Sequence, residues 1–266
     1  MLEHPENSFL MSRQADDFPG LVAYWEFNQA GSSWTAVQGE PYTLTASEGP
    51  LEVSTDSNAP LSGSALVIPE GTWLTCPRAE CPELDIHGEN GQLTVVAWLR
   101  REATQHGGCE FIAGQWNESE LGRQYGLFLN ISVWRQHHQV TGHLSNVGGP
   151  TPGYKYCIDG PVGQSLVPCN EWSVVAMSYD GSQGYAWLNG LLDARPGLNP
   201  YSMAGGLHDG GATGSDFTVA GVDRSGCMGN FFKGQLAGLA VYRRAFTPAE
   251  MYAVSSMDAC RNSVSD

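Results

Sequence analysis

Basic residues are scarce in this 266-residue chain: 13 Lys and Arg stand against 28 Asp and Glu, a formal net charge of −15. A field of that sign repels polyphosphate and anionic lipid and removes the attraction on which nucleic-acid binding rests, so no nucleic-acid partner is expected. An anionic ligand would have to be held by a local basic cluster against the overall field. Long apolar runs are missing as well. No stretch approaches the roughly 20 residues of a membrane span, and the opening MLEHPENSFLMSRQADD has no basic segment followed by an apolar one. The chain therefore reads as soluble and without a visible export signal, cytoplasmic or, if this is a mature form, secreted. Helical periodicity is nearly absent. There is no phosphate loop, since GGATGSD lacks the Lys-Ser/Thr ending and a following helix. The seven cysteines cannot all pair within one chain. Cys76 with Cys81 and Cys157 with Cys169 could each staple a loop, or all could be buried thiols, and neither pair has the matched second pair of a zinc site.

What the chain has is glycine and proline, 33 and 15 residues, punctuating short apolar or alternating runs. LVAYWEF, SALVIP, LTVVAWLRR, EFIAGQW, QYGLFLNI, QVTGHLS, WSVVAMSY, GYAWLNG, DFTVAGV and QLAGLAVYRR are rich in β-branched and aromatic residues and bounded by turn formers, which predicts strands. Only TPAEMYAVSS predicts a helix, with Thr247 as N-cap, Pro248 in the first turn and Glu250 completing a capping box. The fold class is all-β, an antiparallel sandwich or jelly roll with a short C-terminal helix. Residues 1–18 predict a mobile or loosely docked arm, 19–260 one domain and 261–266 a tail.

Alternation assigns faces. Val140 and Leu144 point one way, Thr141 and His143 the other; Leu127, Leu129 and Ile131 share a face opposite Gln124, Phe128 and Asn130. With the aliphatic sets inward, His143, Gln124, Asn130 and Thr141 are expected on the outer surface of a sheet, polar with an aromatic inset. GQWNESELGRQYG adds Asn117, Glu118, Arg123, Gln124 and Tyr125 around a turn, where carboxylate, guanidinium, amide and phenol together can orient a sugar. An exposed hairpin with a weak Glu–Arg pair is the plainer alternative. The loop in GHLSNVGGPTPGYKY, stiffened by Gly and Pro, reads as a rigid wall that holds Tyr154, Lys155 and Tyr156 beside His143. In Tyr185-Ala-Trp187-Leu, the aromatic face either stacks on sugars or fills the core.

EWSVVAMSYDGSQGYAWLNG, followed by DFTVAGV and GQLAGLAVYRRAFTPAEM, resembles the laminin-G-like members of the concanavalin A-like lectin and glucanase superfamily. Trp172, Tyr179, Asp180, Gly181, Asn189, Gly190, Tyr242, Arg244, Ala245, Phe246, Thr247 and Glu250 carry the likeness, and GLVAYWEFN is similar to the usual first strand. The resemblance implies a jelly roll used for carbohydrate binding, adhesion or glycan cleavage. Lyases on related sandwiches combine His, Tyr, Gln and Arg, which makes His143, Tyr154, Arg123 and Gln124 the catalytic candidates, His143 as general base and a tyrosine as proton donor. Asn117, Glu118, Tyr125, Asn130, Lys155 and Tyr156 are then the carbohydrate-binding candidates. Hydrolysis by two carboxylates is disfavoured, because the paired-carboxylate strand of the superfamily's glucanases is missing. Calcium is the one cofactor left open: where relatives have an acidic residue in the last strand this chain reads Gly238-Leu-Ala-Val, leaving Asp209, Asp216 and Asp223 in Gly-rich turns. Three readings follow: a carbohydrate-binding module, a polysaccharide lyase, and a structural module that binds other proteins.

Overall fold

The computed structural model describes residues 14–257, apart from 57, 106, 120 and 130–137. Two antiparallel sheets pack face to face, as the strand pattern predicts. One is ten-stranded and runs, edge to edge, Leu191–Leu192, Gln183–Leu188, Trp172–Tyr179, Leu93–Arg101, Gly234–Tyr242, Leu21–Glu26 and Gln38–Gly39, with three short strands attached alongside. The other is seven-stranded, in the order Val140–Leu144, Arg123–Leu129, Glu110–Trp116, Phe217–Val219, Leu74–Cys76, Thr43–Ala46 and Ser33–Thr35. The inner faces meet in one core that includes Trp25, Val95, Leu127, Leu129, Val140, Leu144 and Leu239. Trp25 stacks on Phe217 across it, ring centroids 5.8 Å apart.

The outer face of the ten-stranded sheet is covered by the helix Pro248–Ser255, whose Met251 and Val254 close a second core with Trp98 and Trp187. Trp187 is thus core, not a sugar platform. The capping box forms as expected: the Glu250 N–H donates to Thr247 Oγ1, and the Glu250 carboxylate accepts from the Thr247 N–H. Arg244 pairs with Glu250 at 2.7 Å and anchors the helix start. Of the segment expected to be a loosely docked arm, residues 1–13 lie outside the described residues. Ala15 and Phe18 are buried, Phe18 in the layer with Tyr242 and Phe246.

The outer face of the seven-stranded sheet carries a third apolar cluster of Phe111, Trp116, Phe128, Cys157 and Val222. Its floor opens because Gly114 and Gly126 lie opposite one another in register. A Cβ at Gly126 would sit 2.8 Å from the Phe128 ring and 3.0 Å from that of Phe111, so only glycine lets both rings lie over the strand. Residues 159–163 line the outer edge of Val140–Leu144: the N–H groups of Gly142 and Leu144 donate to the carbonyls of Pro161 and Asp159. That pairing protects an edge strand and also raises a wall beside His143. Among the described residues no helix is long and apolar enough to cross a membrane.

Candidate functional site

A cavity of about 330 Å³ opens on this outer face. Trp116, Phe128 and His143 line it from the sheet, Tyr156 and Cys157 from the loop that follows His143, and Arg224 and Asn230 from a hairpin after Phe217–Val219. Glu118 and Arg123 line it from the turn between the strands Glu110–Trp116 and Arg123–Leu129. A register shift places Arg123 there. Arg123 is opposite Trp116 and Tyr125 opposite Gln115, leaving Gln124 as an extra residue, a bulge that turns Arg123 to the side of Trp116.

Arg123 is 8% exposed. Its Nη2 donates to the Glu118 carbonyl at 3.3 Å, and among the described residues it makes no ion pair. His143 lies between two rings, 5.2 Å from Trp116 and 5.1 Å edge-on from Phe128. Burial lowers its pKa to about 4, with the Arg123 charge adding to the effect, so the imidazole is neutral at neutral pH. Its Nδ1 is buried with no hydrogen-bond partner. Cys109 and Cys157 also line the cavity, and burial pushes both thiols up to about 11, which keeps them protonated and poor nucleophiles. At the mouth, Glu118 pairs with Arg224 at 3.4 Å.

The other candidates are placed as follows. Gln124 is fully buried and faces away from the cavity: it accepts from Arg78 Nη1 at 2.7 Å and donates to Asp85 Oδ1 at 2.9 Å. Tyr125 belongs to the core rather than the surface, in phase with Leu127 and Leu129, its hydroxyl donating to the Leu84 carbonyl at 2.7 Å. Asn117 donates to Asp223 Oδ2 and accepts from the Ser119 N–H, so it shapes the turn. Asn130 and Ile131 lie outside the described residues. The loop is built on Thr151, which donates to Asp159 at 2.6 Å and accepts from the Ile158 N–H at 2.9 Å. That frame aims Tyr156 at the cavity but leaves Tyr154 60% exposed outside the lining, with Lys155 lying over the Tyr156 ring. Of the four catalytic candidates, the cavity brings together His143 and Arg123. Thr141 is buried instead of exposed, and its backbone bridges to Val162 at the strand edge.

The family profile described as the concanavalin A-like lectin/glucanases superfamily matches residues 78–251. The chain belongs to that superfamily. Searched against curated proteins, the sequence has no match. Among solved structures, it is similar to a Trypanosoma rangeli sialidase in complex with sialic acid, at 16% identity and TM-score 0.57 over 90% of this chain and 33% of that one. It is similar to the binding domain of Paraclostridial Mosquitocidal Protein 1, at 11% identity and TM-score 0.59 over 89% and 52%. Domain 4 of AbnA, a GH43 extracellular arabinanase from Geobacillus stearothermophilus in complex with arabinotriose, matches at 15% identity and TM-score 0.50 over 89% and 98%. The chain spans about a third of the length of the sialidases it matches.

The superfamily's motif residues serve the scaffold here. Tyr179 donates to the carbonyls of Gly181 and Met203, and Asn189 turns the chain with φ of 50° while exchanging hydrogen bonds with Val174. The cavity residues are different ones. Trp116, Arg224 and Asn230 escaped sequence reasoning, and the signal that points to Trp116 is the glycine inside the strand EFIAGQW, where close approach to the backbone is the usual reason. Of the two readings of the cysteines, loop staples or thiols, the described residues show thiols. All six described cysteines are thiols, with Cys157 Sγ donating to the Leu144 carbonyl and Cys169 taking a hydrogen bond from Arg101.

The calcium candidates do not gather around one point. Asp209, Asp216 and Asp223 accept the backbone N–H groups of Gly211, Arg78 and Gly226. Among the described residues, the group of metal-capable side chains that does converge is Asp85, His87 and Asp209, within 4.8 Å of one another. Arg78 Nη2 stands 2.5 Å from Asp85 and 4.0 Å from Asp209, which puts a fixed positive charge where a cation would go. A chelator is therefore expected to leave the melting temperature unchanged, and a fall of several degrees in a calorimetric scan would establish a calcium site.

The buried imidazole makes a second expectation. Between pH 6.5 and about 4, His143 is protonated in the unfolded chain and neutral in the folded one, so protons favour unfolding and stability falls as pH drops through that window. Urea midpoints measured at pH 7 and pH 4.5 should converge when His143 is replaced by glutamine, relative to the wild type. An unchanged gap would show that His143 is not the group responsible.

Proposed function

We propose that the protein binds glycans in the Arg123 cavity and that the sugar held there bears a carboxylate. The observation that carries this is Arg123 itself: a mostly buried arginine that lines the cavity, bonded among the described residues to one backbone carbonyl and paired with no acid, keeps donors that a planar carboxylate would meet bidentately. The surroundings agree. The half-exposed Tyr156 offers a ring to the apolar face of a sugar, with the buried Trp116 part of the wall behind it, Asn230 and neutral His143 offer hydrogen bonds to hydroxyls, and about 330 Å³ is at the lower end of the range of about 300–1,000 Å³ for small-molecule sites. Arg224 adds a second positive charge at the mouth, the local cluster that a chain of net charge −15 needs to hold an anion. The arabinanase domain in complex with arabinotriose supports a saccharide ligand on a domain of this size and fold.

A second reading, a polysaccharide lyase, rests on His143. A neutral imidazole beside Arg123 has the protonation state of a general base for taking the proton next to a uronate carboxylate, while a phenol returns a proton to the departing oxygen and leaves a carbon–carbon double bond. Tyr154 and Gln124 do not line the cavity, so Tyr156 is the phenol available. Binding without cleavage needs fewer parts and is preferred. A glycan array with neutral, uronic-acid and sialylated members, read beside ultraviolet absorbance on uronic-acid polysaccharides, decides between them. Retention of acidic glycans with flat absorbance is the expected result, rising absorbance makes the protein a lyase, and an empty array leaves the protein-interaction module.

A further inference from the structure

The turn that joins Glu110–Trp116 to Arg123–Leu129 has a cavity on each side. Glu118 faces the Arg123 cavity, whereas Asn117, Ser119 and Gly122 line a second one of about 520 Å³ whose far side is His208, Asp209 and Thr213. Adjacent residues of one turn thus line the two cavities, Glu118 the first and its neighbours Asn117 and Ser119 the second. The turn is also held firmly. The Arg123 N–H donates to the Gly148 carbonyl at 3.0 Å and the His208 N–H to the Ser145 carbonyl at 2.8 Å. Gly148 packs so tightly on His208 that a Cβ there would lie 2.5 Å from the ring.

The two cavities differ in charge. Among the described residues, Arg123 and Arg224 line the first, with Glu118 as its carboxylate. In the second the charged residue among the described lining is Asp209, its side chain 58% exposed, and the nearby Arg78 is committed to Asp85, Gln124 and the Gly211 carbonyl. Asp209 accepts from sugar hydroxyls and repels a second carboxylate. Leu121 at the rim, 59% exposed, offers an aliphatic surface to the C–H face of a ring.

We infer that the second cavity is a neutral-sugar subsite continuing the first, so that the ligand is an oligosaccharide in which a carboxylate-bearing unit is joined to a neutral one across the 117–122 turn. This rests on the glycan-binding reading of the Arg123 cavity. Calorimetry at fixed salt with glucuronate, galacturonate and sialic acid, and the disaccharides of each with glucose or galactose, tests it. Wild-type protein should bind at least one mixed disaccharide about tenfold more tightly than its acidic sugar alone, a difference of about 1.4 kcal/mol. Thr213→Trp, which fills the second cavity from an exposed turn, should abolish that gain and leave the Kd of the acidic sugar within about twofold. If the acidic sugars bind but the disaccharides gain nothing, or the gain survives in Thr213→Trp, or that variant weakens the acidic sugar equally, the second subsite is wrong while the Arg123 site stands. If wild-type protein binds none of the probes, both readings fall together.

Discussion

Replacing Arg123 by glutamine is expected to weaken binding of acidic glycans by about thirtyfold or more while leaving the melting temperature unchanged or higher. The two effects have one origin. Removing one partner of a buried charge pair costs about 2–5 kcal/mol of binding, and 1.4 kcal/mol is a factor of ten. In the free protein, however, Arg123 is 8% exposed, bonded to a single carbonyl and without an ion pair among the described residues, so its burial costs desolvation that little compensates. Function and stability should therefore move in opposite directions. Arg123→Lys should rescue binding poorly, since an ammonium cannot take a carboxylate bidentately. A variant that loses binding and stability together would mean that Arg123 is a structural residue.

Glu110→Gln is expected to be the most damaging change to the scaffold. Arg101 ends a strand of the ten-stranded sheet and Glu110 begins one of the seven-stranded sheet, and their side chains, 1% and 0% exposed, form an ion pair between the sheets. Arg101 Nε also donates to Glu110 Oε2 at 3.3 Å, and Nη1 reaches Cys169 Sγ at 3.3 Å. Neutralising the acid leaves a buried guanidinium without its counter-charge, a loss of about 3–5 kcal/mol. For a domain of this size that corresponds to a fall in Tm of about 10 °C. The double replacement Arg101→Met with Glu110→Leu removes both charges and should recover most of the loss. A midpoint for Glu110→Gln within about 2 °C of wild type, measured by scanning calorimetry, would contradict this account of the sheet junction.

The fold was legible because its signals are local. Alternation placed Val140 and Leu144 inward and His143 outward, and the Thr247–Glu250 capping box located the helix to the residue. The candidate site was legible only in part, since its details depend on events that alternation does not encode. One extra residue at Gln124 turned Arg123 toward the cavity and Gln124 away from it. Two distant segments, the edge-lining residues 159–163 and the hairpin that carries Arg224, stand over a face that reads as open polar surface and bury His143 there. Burial then changes the chemistry of that histidine, from an exposed group titrating near neutrality to one that stays neutral down to about pH 4.

The most direct measurement is a crystal structure of the protein with an acidic oligosaccharide that it retains on the array. The account predicts the carboxylate within hydrogen-bond distance of the Arg123 guanidinium, the ring of that sugar against Tyr156, and the neighbouring neutral unit beyond the 117–122 turn toward Asp209. A ligand seated elsewhere, with Arg123 still bonded only to the Glu118 carbonyl, would contradict it.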